Sequence, residues 1–354
     1  MNLPYSKILP TNLLAAAFSN TAATYKYYWF LSLIDCVEYN ELHISKKNLF
    51  IGMISHAWYT VNYFQLSFGK QDLIHQTAAA LLDLESLTVD IKKNELEDVL
   101  KHSENVQTSK LLWHFNKNVP HWFLTPWFPR SRDFTENDIN YRNRIYRSSH
   151  RFENNCLYSL SEVHISVNPA WRDYLYTNAR ILKDFCYWNL ANFLQSRNPM
   201  TPDINGKLIK PPFRGTLSQQ RKYYWNIVFR ELGSVDCIFT GNRLDVKSYA
   251  LDHFIPHAFV AHDLMWNLLP IDQAYNSHKS DRLPPLDTYF DQLFRLQKIA
   301  LEIIMHHSPK NKFLEEYYPI VPSLNTAEDF DYTKYRETIQ PLSAIAHNNG
   351  FAYL

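Results

Sequence analysis

The chain has 354 residues, enough for two or three domains, and it is 46% hydrophobic and 15% aromatic, which excludes a largely disordered protein. Its formal net charge is only +1, so any argument for nucleic-acid binding has to come from local clusters of charge. The 7 glycines form no P-loop, dinucleotide-binding turn or serine-hydrolase elbow, so those three enzyme classes lack their required motifs.

Cysteine usage and hydropathy address the compartment. Cys36, Cys156, Cys186 and Cys237 are scattered, with no Cys-x-x-Cys pair, which favours a reducing environment over a disulfide framework. The N-terminal stretch resembles neither a signal peptide nor an anchor. No apolar run approaches the roughly 18 residues that a membrane helix needs. We therefore expect a cytoplasmic protein that does not contact a membrane.

The first third of the chain has helical periodicity and an aromatic core. A helix is predicted from Tyr25, and Ser45 is the expected N-cap of a second helix. Two further helices are predicted over residues 71–87 and 94–102. Residues 119–129 hold three prolines and four large aromatic residues, which indicates a packed connector.

The middle of the chain alternates between elements and basic segments. Residues 156–160 and 163–167 are predicted to pair as strands, and Asn168-Pro169 is expected to begin one long helix with a buried stripe through Trp188. Residues 130–151 carry six arginines interspersed with acidic residues. Either an ion-paired, solvated surface or a face that contacts phosphates fits this pattern.

A second basic segment covers residues 197–230, with seven basic residues, one acidic residue and the aromatic run Tyr223-Tyr224-Trp225. Cations mixed with aromatic side chains suit a nucleic-acid backbone and its bases, although a linker plus a helix with inward aromatics fits as well. The candidate nucleic-acid-binding residues are Arg214, Arg221, Lys222 and, further along, Arg282.

The most informative stretch lies between residues 235 and 285. Strands are predicted over residues 235–239, 249–255 and 266–271, with a loop at 256–265 and a short helix at 272–280. This β-loop-β-helix unit would bring Asp252 and His253, at a strand end, against the helix that carries Asn276 and Lys279.

These residue types suit hydrolysis of a phosphodiester bond. His253 can accept a proton from water, and Asp252 and Asn276 offer hard oxygen ligands for Mg²⁺ or Mn²⁺. Lys279 and Arg282 are candidates for phosphate contact. The amide of Asn267 can donate and accept hydrogen bonds, so we expect it to brace the loop that orients His253.

The spacing of these residues resembles the HNH (ββα-metal) endonuclease family, and most of all the HNH domain of RNA-guided CRISPR effector nucleases. The matching residues are Asp252-His253-Phe254-Ile255-Pro256, Asn267 and Asn276-Ser277-His278-Lys279-Ser280-Asp281. The resemblance implies that His253 is the general base, that Asp252 and Asn276 bind the metal, and that Asn267 is the middle Asn of the motif. We therefore predict His253, Asn267 and Lys279 as catalytic residues.

The sequence departs from one common HNH pattern, in which two cysteine pairs hold a structural zinc. Cys237 stands where a first cysteine could be, but Thr240 occupies the second position and no later pair follows. No structural zinc is therefore expected. Packing against a helix over residues 286–306 and against the N-terminal region would brace the hairpin instead.

The predicted fold class is α+β, mainly α. The predicted domains are a helical region (1–230) for interaction or DNA guidance, an HNH domain (231–310) and a helical tail that packs back (311–354). The predicted function is a metal-dependent DNA endonuclease, and a looser resemblance to antiphage HNH proteins implies a bacterial defence effector. The alternatives are a nuclease subunit controlled by a protein partner, and a nucleic-acid-binding protein with an inert HNH scaffold.

Overall fold

A computed structural model describes residues 3–19, 21–130, 136–208 and 215–354. The chain forms two compact units, one of residues 1–199 with 207–210 and the other of residues 200–206 with 211–354. Helices dominate and the sheets are small and antiparallel, which confirms the predicted α+β, mainly α class. Within these described ranges, no helix is both long enough and apolar enough to cross a membrane.

The first unit is a helical assembly around a core rich in aromatic side chains. Its helices are α1 (Thr11–Ala16), α2 (Tyr25–Glu38), α3 (Lys46–Asn62), α4 (Leu73–Leu84), α5 (Lys93–His102), α6 (Val106–Trp113), α7 (Pro120–Phe123), α8 (Asp138–Ser149), α9 (Pro169–Thr177) and α10 (Ala179–Arg197). Single 3-10 turns cover His114–Lys117 and Phe152–Asn154. Ser45 caps α3 as predicted, because its side chain accepts a hydrogen bond from the backbone N–H of Lys47.

A three-stranded sheet with strand order β1-β3-β2 lies in this unit, where β1 is His43–Ser45, β2 is Tyr158–Leu160 and β3 is His164–Val167. The predicted pair is confirmed, with Ser159 opposite Ser166. Strand β1 was not predicted, because three residues are too few to show alternation; Ile44 pairs with Ile165 across it.

Two sequence predictions for this unit were wrong in detail. The connector at residues 119–129 contains α7, whose proline sits in the first helical turn, where a missing N–H breaks no helical hydrogen bond. The long helix after Asn168 is broken at Asn178, so α9 and α10 present different faces to the core. Trp171 is therefore buried, whereas Ile181 and Trp188 are about half exposed.

The second unit contains the β-loop-β-helix segment and the C-terminal helices. Its strands are β4 (Val235–Asp236), β5 (Arg243–Leu244), β6 (Tyr249–His253) and β7 (Leu268–Asp272). After α11 (Ile204–Lys207), which spans the boundary of the two units, its helices are α12 (Ser218–Gln220), α13 (Asn226–Leu232), α14 (His257–Val260), α15 (Gln273–Lys279), α16 (Leu286–His307) and α17 (Tyr332–Asn348). A π-turn at Arg221–Trp225 joins α12 to α13, and 3-10 turns cover Met265–Asn267, Lys312–Tyr317 and Ala327–Asp329.

Helices α16 and α17 brace strand β7. The side chain of Gln297 on α16 donates a 2.7 Å hydrogen bond to the carbonyl of Leu268, and Tyr317 donates to Gln297 at 2.6 Å. Tyr335 of α17 is fully buried and donates to the carbonyl of Trp266. These buried hydrogen bonds fix the strand whose far end leads into α15, because each lost partner would leave an unsatisfied polar group.

Candidate active site

The antiparallel pair β6–β7 sets the frame of the site. Tyr249 lies opposite Asp272 and His253 lies opposite Leu268. The predicted β-loop-β-helix order is confirmed, with one difference: the expected loop contains the short helix α14. The carboxylate of Asp272 caps α15 by accepting hydrogen bonds from the N–H groups of Ala274 and Tyr275, so β7 passes directly into α15.

Asn267 continues the ladder beyond the last pair of strand residues. Its Oδ1 accepts from the N–H of Ile255 and its Nδ2 donates to the carbonyl of Ile255, both at 2.8 Å. Its own carbonyl accepts from the N–H of Phe254 at 2.7 Å. The side chain is fully buried. Asn267 therefore braces the chain just after His253, through both the oxygen and the nitrogen of its side-chain amide.

His253 pairs with a carboxylate that sequence analysis did not single out. Its Nε2 lies 2.9 Å from Oδ1 of Asp263. A carboxylate only accepts, so in a neutral imidazole Nε2 carries the proton and Nδ1 presents a lone pair. Nδ1 has no hydrogen-bond partner in the described part of the chain, and the side chain is only 1% exposed. Asp263 lies 10 residues after His253, in the segment that joins β6 to β7, and that proximity in sequence was the available signal.

The carboxylate of Asp252 is held by Lys279. The ammonium Nζ lies 2.8 Å from Oδ2 of Asp252 and 2.8 Å from the carbonyl oxygen of His253. The Lys279 side chain is 1% exposed and that of Asp252 is 14% exposed. Predicted to contact phosphate, Lys279 instead has its charge directed inward, where it ties the end of β6 to α15.

Asn276 lies one helical turn before Lys279, so the two side chains share the face of α15 that is turned toward β6. It is partly buried, and its amide forms no hydrogen bond within the described ranges. Oδ1 of Asp252 is likewise not engaged by Lys279, whose bond goes to Oδ2. The junction of β6 and α15 thus carries two oxygen donors, one carboxylate and one carboxamide.

The predicted metal site depends on these two oxygen ligands. The described residues contain no group of three or more His, Cys, Asp or Glu side chains arranged to hold an ion. Asp252 and Asn276 would supply two oxygen ligands, which fits Mg²⁺ or Mn²⁺, because such ions in nucleotide-handling enzymes keep water and phosphate oxygens as their other ligands. Cys237 is buried, and its sulfur accepts from the N–H of Asp272 at 3.5 Å.

Comparison with protein families identifies this segment. The family model described as HNH endonuclease matches residues 237–285, which run from Cys237 through α15. Residues 237–285 form an HNH endonuclease domain. No curated protein and no solved structure gives a significant match to the chain. The predicted family is thus confirmed, while the closer likeness to the HNH domain of CRISPR effectors stays a prediction.

An HNH domain implies a nucleic-acid substrate and an endonuclease activity, and HNH nucleases typically depend on a divalent metal. The four basic residues predicted to bind that substrate differ in their placement. Arg214 lies outside the described residues. The guanidinium of Arg221 lies over the Tyr249 ring, 4.1 Å from its centroid, and donates to the Tyr249 carbonyl, so it is engaged inside the fold.

The other two basic residues lie at the surface. Lys222 lies over the ring of Tyr223, which is 44% exposed, and Arg282 is exposed just after α15. Tyr224 and Trp225 are fully buried. These two side chains therefore pack inside the fold and are not exposed to stack on bases.

Proposed function

We propose that this chain is an endonuclease that hydrolyses phosphodiester bonds of DNA with Mg²⁺ or Mn²⁺ as cofactor. The observation that carries the proposal is the state of His253: Asp263 engages Nε2, which leaves Nδ1 as a proton acceptor at the end of β6. The HNH match over the same residues supports the reaction class.

In this proposal His253 is the general base. Its Nδ1 takes a proton from water, the water oxygen attacks phosphorus in line, and the bond to the 3′ oxygen breaks, giving a 5′-phosphate and a 3′-hydroxyl. Asp263 keeps the ring in the required tautomer and stabilises the imidazolium that forms. Because His253 is buried, the proposal requires that substrate binding expose Nδ1 to water.

The remaining residues have supporting roles. Asp252 and Asn276 would hold the cation, which when bound would neutralise charge on the phosphate and the leaving oxygen. Lys279 balances the Asp252 carboxylate and holds the carbonyl of His253, so the base stays at the end of β6. Asn267 fixes the following turn through Ile255. Lys222, Arg282 and Arg214 remain the proposed contacts to the DNA backbone.

The wider setting is also part of the proposal. The resemblance to antiphage HNH proteins favours a cytoplasmic bacterial defence effector, in which the first unit would receive a protein partner that activates or targets the nuclease. The first unit contains its own large core and a separate set of helices, which suits an interaction module.

The test is cleavage of supercoiled plasmid by the purified chain with Mg²⁺, Mn²⁺, Ca²⁺ or EDTA, beside single-stranded DNA and RNA substrates. We expect nicking or linearisation with Mg²⁺ or Mn²⁺, none with EDTA, and none by the His253→Ala variant. Undiminished cleavage by that variant would contradict the assignment of the base. Cleavage of RNA alone would reassign the substrate while leaving the site intact.

A further inference from the structure

A buried lysine in the first unit has no carboxylate within hydrogen-bonding distance among the described residues. Lys46, at the start of α3, is fully buried. Its ammonium donates to Oδ1 of Asn116 at 3.0 Å, to the hydroxyl of Tyr146 at 2.7 Å and to the backbone carbonyl of Glu162 at 3.0 Å. All three acceptors are neutral. Burial, followed by the charge of Arg142, lowers the pKa of Lys46 to about 7, and the smaller effect of the Glu162 carboxylate opposes this shift.

Tyr146 connects the buried ammonium group of Lys46 to the surface of this unit. The guanidinium of Arg142 lies 5.3 Å from the centroid of the Tyr146 ring, and Lys46 lies 4.8 Å from it. Burial raises the pKa of Tyr146, so the phenol keeps its proton. The hydroxyl oxygen accepts a hydrogen bond from Lys46, and its O–H is chemically able to donate to a ligand.

Tyr146 opens onto an open cleft of ≈ 1160 Å³ along one side of α8. Its lining among the described residues is mostly polar, with three arginines and two glutamates: Pro129, Glu136, Asn140, Arg142, Asn143, Arg144, Tyr146, Arg147 and Glu162. Arg144 is already neutralised by Glu136 through hydrogen bonds of 2.9 and 3.0 Å. Arg142 and Arg147 form no ion pair within the described residues, and Glu162 is the other acid in the lining.

The neighbouring His121 is affected by the same positive charges. His121 is buried close to Tyr146, with ring centroids 6.5 Å apart. Burial, then the charges of Arg142 and Lys46, lower the pKa of His121 to about 4 against a smaller opposing effect of Asp138, so His121 is neutral at neutral pH. A buried lysine thus lies beneath the cleft in addition to the arginines that line it.

We propose that this cleft binds a phosphate-bearing small molecule of the nucleotide class. Its phosphate would accept from the Tyr146 hydroxyl and from the forks of Arg142 and Arg147, which match phosphate oxygens in geometry. Asn140 and Asn143 lie about one turn apart on the same helix and offer amides for the edge of a base. A cleft of this volume accommodates a whole nucleotide.

Free nucleotides and the phosphates of a nucleic-acid strand share this chemistry, and the titration below compares the two directly. The proposal does not rest on the nuclease assignment, since none of its residues belongs to the HNH domain. Binding can therefore be measured in EDTA, where the proposed metal-dependent cleavage is absent.

The experiment is isothermal titration of the full chain in EDTA with ATP, GTP, pyrophosphate, adenosine and a short single-stranded oligonucleotide. The variants are Arg142→Gln and Tyr146→Phe, and Arg180→Gln, an exposed arginine on α10, is the matched control. We expect a nucleotide or pyrophosphate to bind and adenosine not to bind. Each cleft variant should weaken binding roughly tenfold or more, because each removes a hydrogen bond to a charged group.

Several outcomes would overturn the proposal: no binding of any phosphate compound, binding of the oligonucleotide alone, or unchanged affinity in Arg142→Gln. Melting temperatures of all three variants separate lost binding from lost folding, and Arg142→Gln removes no partner of Lys46. Plasmid cleavage by the same preparations keeps the two proposals apart, since either activity can fail while the other persists.

Discussion

Each unit contains a buried histidine against an aspartate, and the two pairs differ in what the second ring nitrogen does. In the first unit Nε2 of His56 lies 2.8 Å from Asp35, and Nδ1 lies 3.3 Å from the hydroxyl of Tyr187. In the HNH domain Nε2 of His253 lies 2.9 Å from Asp263, and Nδ1 has no hydrogen-bond partner among the described residues. Both ring nitrogens of His56 thus have polar partners, whereas His253 has one only at Nε2 among the described residues.

The carboxylates differ in the same way. Asp35 contacts Lys93 and, at 2.6 Å, Lys183 in addition to His56. Burial would raise the pKa of Asp35, but His56 and the two lysines together hold it well below its usual range. The first pair is thus a saturated ionic cluster, which suits a structural role. A buried histidine with one nitrogen left over is the arrangement that general-base chemistry needs.

The largest expected effect tests this contrast directly. His253→Ala should lower DNA cleavage by roughly 10²- to 10⁴-fold, because it removes the proton acceptor. His56→Ala is the matched control, since it removes a largely buried, aspartate-paired histidine from the first unit and should leave cleavage at the temperature of the assay close to normal. Rates on supercoiled plasmid with Mg²⁺ measure both. Equal losses of cleavage rate in the two variants would contradict the assignment of His253, and not His56, as the general base.

The second prediction concerns the buried cation of the HNH domain. Lys279→Met should lower the free energy of unfolding by about 3 kcal/mol or more in EDTA, because Asp252 then loses the cation with which it pairs among the described residues. Arg282→Gln, an exposed neighbour, should change it by less than about 0.5 kcal/mol. Urea titrations measure both, and added Mg²⁺ should stabilise Lys279→Met more than the parent. A variant as stable as the parent would show that Lys279 is not needed to hold the site.

The third prediction uses pH on the saturated cluster. Asp35→Asn should destabilise the protein by about 2–3 kcal/mol at pH 7, since two lysines lose a shared carboxylate. The pKa of Asp35 is lower in the folded state, so its contribution is present above its unfolded value of about 4 and is lost as the pH falls below that. Unfolding at pH 7 and pH 3 should therefore show a smaller difference at pH 3. A difference independent of pH would point to packing instead of charge.

Sequence patterns predict residues whose contacts are local in the chain, but not contacts that join distant segments. Asp252, His253, Asn267 and Asn276 could be located because the motif is short and its strand and helix periods are local. The inward direction of Lys279 could not, since it depends on how α15 packs on β6. The cluster of Lys46 joins residues 70 and 100 positions apart, which periodicity does not encode.

The smallest predicted effect, and the one that sharpens the comparison most, is at Asp263. Asp263→Asn keeps an oxygen that can accept from Nε2 of His253 but removes the charge that stabilises the imidazolium. We expect kcat to fall roughly tenfold with KM little changed, because the loss acts only when His253 holds the proton. Asp263→Ala should cost more, since the ring then also loses its orientation. If both variants cleave at the parental rate, the carboxylate is incidental, and the free Nδ1 alone would have to carry the assignment of His253.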